Sequence, residues 1–254
     1  MSRVLLLPLL TAVALLAPGC QESGFNESKE TEKPLKVQHA LGETKVPGQA
    51  TEPLTLTVDA LDDTLALKVR PARAAVPDAK LPAYLRGAGR GVSLMGSVTA
   101  SDLAAVETVD PDLILGSADD QAKLYEDLSR IAPTVMTDGG GGQWKLNLRL
   151  VGEALGRTND AEQLLTEYDR EAAEAREAIS GRPTVAVARM SADGLRYAPR
   201  DSFAATILAD AGVKQVRGAG ADVTVRANEQ LWWGNGGALA ARAALADLRA
   251  ALAG

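Results

Sequence analysis

The side chains in this sequence that can do chemistry are informative mainly through where they stand: just after short apolar runs. Ser117, Asp119 and Asp120 follow one run, Trp144 comes after the next, Arg189 ends a third, and Tyr197 and Arg200 flank the end of a fourth. Trp232 and Trp233 stand together near the C-terminus. If those runs are strands of an open α/β sheet, the segments beyond their carboxyl ends are where such sheets bind ligands. Rings supply apolar walls and guanidinium groups supply charge-assisted donors, so the inventory suits recognition. Structural roles are open to the same residues. Adjacent tryptophans cannot both face inward from a regular strand, which leaves one of Trp232 and Trp233 for the core. Trp144, behind the glycine run at 139–142, suits a cleft wall or, at a helix start, the core, and Arg189 suits an ion pair at a strand end. Tyr84 is a weaker aromatic candidate, and His39, in an expected hairpin, reads as a surface histidine.

Catalytic constellations are missing. GVSLMG at 91–96 places its second glycine one residue too far for a nucleophile elbow, and the sole histidine, His39, precedes the serines of the later strands. Asp62–Asp63 and Asp119–Asp120 are adjacent, so their side chains diverge, and they read as solvated helix starts rather than acid/base couples. GAGRG at 87–91 and GAGA at 218–221 lack the spacing of a dinucleotide or phosphate loop. One cysteine, Cys20, and one histidine allow neither a disulfide nor a multi-ligand Cys/His metal site. The net charge is -6 with no concentrated basic run, which argues against nucleic acid.

The elements that must position the candidates follow from periodicity. With 254 residues, 46% hydrophobic and 24% charged, the chain is globular. It opens on Arg3 and an apolar run at 4–18, about 22 Å as a helix and short of a ~30 Å bilayer core, which reads as a secretory signal. Residues 21–34 are polar apart from Phe25 and read as a tether. From Leu35 a hairpin turning at Gly42 is expected, then strands at 54–58, 73–76, 112–116 and 134–137 alternating with helical spacing around Leu61, Val106 and Leu128. This βαβ pattern implies a mainly parallel sheet covered on both faces. A helix over 159–179, capped by Thr158 and stopped by 181–183, spans roughly 32 Å and is long enough to bridge two lobes. Strands at 184–189, 195–198 and 213–216, with a helix through Phe203 and Ile207, restart the alternation.

Three stretches carry a resemblance: VDPDLILGS with LSRIAPTV, LVGEALGRTNDAEQLLTEYDREAAEAR, and VAVARMSADGLRYAP. Together they resemble the iron-siderophore-binding lipoproteins of bacterial ABC importers. LAPGC at 16–20 is similar to a lipobox, with Ala17 where Leu is preferred; an ordinary cleaved signal is the alternative. The resemblance implies an α/β fold of two lobes with mainly parallel sheets joined by one long α-helix. It also implies a lipidated Cys20 on the outer side of the cytoplasmic membrane, and no enzymatic activity. Its cargo would be a ferric siderophore held by Ser117, Trp144, Arg189, Tyr197, Arg200, Trp232 and Trp233 and delivered to an ABC transporter permease, with iron bound only as the chelate. Haem or a corrinoid is an alternative cargo.

The implied organisation is a signal peptide at 1–19, a tether at 20–34, an N-terminal lobe at 35–157, a linking helix at 158–180 and a C-terminal lobe at 181–254. Two departures from the family stand out. After Val216 the chain runs at once into the stretch resembling the family's last strand, cleft tryptophan and final helix, so the second lobe is incomplete by about 50 to 60 residues, two βα units. The family's permease-facing glutamate aligns with Ala104, between Asp102 and Glu107. An internally deleted lipoprotein that no longer binds is therefore the competing reading.

Overall fold

Strand formation follows the apolar runs closely in the computed structural model, which describes residues 33–181, 183–218, 220–226, 229–234 and 236–252. The expectations for the signal peptide, for Cys20 and for most of the tether lie outside the described residues. β1 (Leu35–His39) and β2 (Gly42–Val46) pair antiparallel as the expected hairpin. β3 (Pro53–Thr55), β4 (Arg73–Ala75), β5 (Leu94–Met95), β6 (Leu113–Ser117) and β7 (Thr134–Thr137) form a parallel sheet in the order β5-β4-β3-β6-β7. A second sheet has β8 (Thr184–Ser191) at its centre, with β10 (Lys214–Gln215) and β11 (Val223–Arg226) parallel on either side, and β9 (Gly194–Tyr197) antiparallel to the end of β8.

β6 is buried along its whole length because helices cover both faces of its sheet. Its side chains alternate between two cores: Leu113 and Leu115 pack with Leu148 and Val151, while Ile114 packs with Val106, Leu128 and Met136. The helices are α1 (Val58–Ala66), α2 (Leu103–Val109), α3 (Ala118–Gln121), α4 (Tyr125–Ile131) and α5 (Trp144–Ala154), then α6 (Thr158–Ala178), α7 (Phe203–Asp210), α8 (Glu229–Trp232) and α9 (Ala238–Leu252).

The fold is thus α/β, two sheets with their helices joined by the long α6. Its buried stripe of Ala161, Leu165, Tyr168, Ala172 and Ala175 matches the expected one. Polar links reinforce the packing. Lys145 of α5 reaches Asp169 of α6 at 2.9 Å and Asp210 of α7 at 3.1 Å, and Asp210 also accepts from the Tyr168 hydroxyl at 3.0 Å. Arg242 of α9 pairs with Glu171 of α6. One continuous core runs from the hairpin through α5, α6 and α9 to the second sheet.

Several expectations need correction. The strand expected at 54–58 ends at Thr55, because Thr57 accepts from Ala60 N at 3.3 Å and so starts α1. Thr158 does not cap α6: it is already helical, and the cap residue Arg157 makes no side-chain capping bond. His39 is half-buried, with Nε2 3.0 Å from the Thr44 hydroxyl and 3.3 Å from that of Tyr125, so it is not a free surface group. Asp62 and Asp63 are not solvated at a helix start. They lie within α1 and are fully buried.

Candidate functional site

Chain direction in a parallel sheet brings the carboxyl ends of all its strands to one edge, and a cavity of about 650 Å³ opens there in the first lobe. Thr57 and Asp59 come from the β3–α1 junction, and Asp78 and Lys80 from the segment after β4. Ser97 follows β5, and Asp120 and Gln121 lie in α3 after β6. Tyr84 adds a ring, and Gln230 and Gly234 reach in from the C-terminal segment. The left-handed backbone of Asp78, φ 53°, turns the chain sharply where it leaves the strand.

Behind this wall lies a buried acidic cluster. Asp62 and Asp63 stand three and four residues after Asp59 on α1, so each neighbours Asp59 on the helix surface. Asp62 accepts from the backbone N–H of Leu239 at 2.7 Å and of Ala240 at 2.9 Å, and Asp63 accepts from that of Ala238 at 2.9 Å. The first turn of α9 is therefore capped by carboxylates from the far end of the chain, a use of the positive helix end that needs no local cap residue. Gly237 permits the approach, since a Cβ there would stand 2.5 Å from an Asp63 oxygen.

Burial raises all three carboxyl pKa values: Asp62 to about 7 and Asp63 well above the usual range, where the neighbouring Asp62 adds to the effect. The charge of Asp120 adds to the rise at Asp59. Tyr84 hydrogen-bonds Asp62, and burial together with that carboxylate pushes the phenol strongly upward.

The residues singled out in the sequence fall into two groups. Ser117 is buried at the end of β6 and caps α3, accepting from Asp119 N at 3.3 Å; its own N–H donates to Gln121 Oε1, on the cavity wall, at 2.9 Å. Trp144 is 1% exposed and lies edge-on to Tyr168, ring centres 4.8 Å apart, and to Phe203 at 6.4 Å. Trp232 is equally buried, donating Nε1–H to Asp247 at 2.6 Å. Trp144 and Trp232 therefore take their core alternatives.

The second group gathers on the other lobe. The Arg189 guanidinium lies 4.3 Å from the ring centre of Trp233, and Tyr197 pairs with Ala188 beside it. Arg200 is exposed ahead of α7. None of the seven lies on the wall of the 650 Å³ cavity, although Gly234, next to Trp233, does. Sequence reasoning named Asp120 and Tyr84 but missed Asp59, Asp78, Lys80, Gln121 and Gln230. For Asp59 a signal existed: three acids within five residues of a short helix whose other residues, Thr64 apart, are apolar.

Among the described residues no group of three or more His, Cys, Asp or Glu could hold a metal ion, and no helix is long and apolar enough to cross a membrane. Residues 67–231 match the family described as periplasmic binding protein, and the chain belongs to that family of binding proteins.

A probable siderophore-binding lipoprotein, YfiY of Bacillus subtilis, is 29% identical over 82% of this chain and 65% of its own length. The achromobactin-binding periplasmic protein of Dickeya dadantii is 31% identical over 63% of this chain and 54% of its own. The chain thus spans less than two thirds of these relatives. Among solved structures, Staphylococcus aureus SirA complexed with staphyloferrin B superposes with a TM-score of 0.74 at 23% identity, covering 86% of this chain and 98% of that one. The petrobactin-binding protein YclQ of Bacillus subtilis gives 0.70 at 17%, covering 87% and 99%. Both likenesses are of fold.

Proposed function

We propose that this chain is an extracytoplasmic solute-binding protein that captures a ferric siderophore and hands it to an ABC importer, held at the membrane by a lipid on Cys20. The observation that carries the reading is the 650 Å³ cavity at the carboxyl ends of the parallel strands, in a chain of the periplasmic binding protein family. Its volume suits a ligand of several hundred daltons. Relatives named for siderophores support the cargo class. Arg189 stacked on Trp233 gives the second lobe a cationic, aromatic face, and we assign it and Tyr197 to the opposing wall.

The test is a titration of intrinsic tryptophan fluorescence with ferric siderophores of different chelating groups, Trp233 being the half-buried reporter. Saturable quenching by at least one is expected. A folded protein that responds to none would favour the deleted-remnant reading, to which the small second sheet also points. Anchoring is tested separately: Cys20→Ser should move the protein from the membrane fraction to the soluble one, and unchanged fractionation would remove the lipid from the account.

A further inference from the structure

We propose that the first-lobe wall of the cleft is a receptor for a cationic group, so that the chain selects ferric chelates carrying a free ammonium over polyanionic ones. The inference rests on the siderophore-binding reading and names the ligand class within it. The wall carries three carboxylates, Asp59, Asp78 and Asp120, against one ammonium, Lys80, and no arginine is among the residues that line it. Asp59 is only 8% exposed, and none of the three acids forms an ion pair among the described residues.

A carboxylate left in that state is costly, and the charge of Asp120 makes Asp59 harder still to ionise. Asp62 and Asp63 have backbone N–H donors from α9, whereas Asp59 faces the cavity and has only the Thr57 side chain and nearby backbone for support. An ammonium delivered by the ligand would offset that penalty and make charge-assisted bonds. A chelate with several free carboxylates would meet like charge at the same place. On the facing lobe the Arg189 guanidinium lies over a ring, where it can meet the chelated oxygens while the amine points the other way.

The test compares ferrioxamine B, an iron trihydroxamate with one free ammonium, with its N-acetylated form, of nearly the same size but without that charge, and with ferric staphyloferrin B as a polyanion. Dissociation constants are measured on the full chain by calorimetry at low and physiological salt. The ammonium form should bind roughly 10- to 100-fold tighter than the acetylated one. Asp59→Asn and Asp120→Asn should each shrink that ratio toward one. Asp120 is exposed, so its variant tests the wall even if the buried substitution perturbs folding.

Equal affinity for the ammonium and acetylated forms would overturn the proposal while leaving siderophore binding intact. So would tighter binding of the polyanion, or an ammonium preference untouched by both substitutions. Failure of every chelate, whatever its charge, would overturn siderophore binding and this proposal with it.

Discussion

Folding stability should fall as pH rises from about 4.5 to 7.5, because the carboxyls that hold α9 are easier to bury protonated than charged. Asp62 has a carboxyl pKa of about 7 in the fold, raised by burial, against 3.8 for the free group. Between those values the native state binds more protons than the unfolded chain, so this contribution is complete below pH 4 and is lost as pH climbs through 7. At 1.36 kcal/mol per unit over about three units, Asp62 alone is worth on the order of 4 kcal/mol. Asp59 and Asp63 act in the same direction. His39 opposes them, since burial lowers its pKa and the fold gains stability as pH rises toward the histidine's unfolded value of about 6.5.

Asp62→Asn separates the terms. Its amide keeps one acceptor but turns an NH₂ toward an N–H of α9, a loss of roughly 1–3 kcal/mol. The wild type should therefore be the more stable at pH 5, and the order should reverse near pH 8, where only the wild type carries the buried charge. Urea denaturation of both proteins across this range, on a His39→Gln background, reads the effect directly. A constant gap between them, or a wild type that gains stability through the window, would refute the argument.

Arg189→Ala should weaken binding of a ferric siderophore by about 1.5–3 kcal/mol if its guanidinium meets the chelate, read from the same fluorescence titration; unchanged affinity in a folded variant would remove Arg189 from the site. Trp144→Ala should destabilise the fold by about 3–5 kcal/mol, measured by denaturation, because it empties the junction between Tyr168 and Phe203. Hydrogen exchange should be slowest in β6 and in the middle of β8, and fast over 220–226 and 229–234, where β11 and α8 have four residues each. Equal protection throughout would mean that the second lobe closes its own core.

How much of this was legible depended on the range over which each signal acts. The strand LILGS and the stripe of α6 declare themselves locally, one by a continuous apolar run and the other by spacing of three and four. β5 has two residues, too few to show a period, and α5 starts straight after the glycines at 139–142, which read as loop. Burial of Asp62 and Asp63 was beyond local reading, since the amides that satisfy them lie 175 to 178 residues away. Aromatic residues drew attention as ligand walls, but Trp144 and Trp232 serve the core, the larger demand on apolar area in any domain. Polar residues such as Lys80, Gln121 and Gln230 have no periodicity of their own, and only the assembled sheet edge brings them together.

The bond between α1 and the start of α9 also sets an order of events. Until residue 240 has emerged, Asp62 and Asp63 lack their backbone donors from α9, and the helix that carries them must keep those groups wetted. An early stop codon before that point would do more than remove a tail, because it would strand two carboxyls inside the first lobe. The last helix behaves as a latch whose catch was made at the start of the fold, and nascent chains will stay open to proteases and chaperones until it closes.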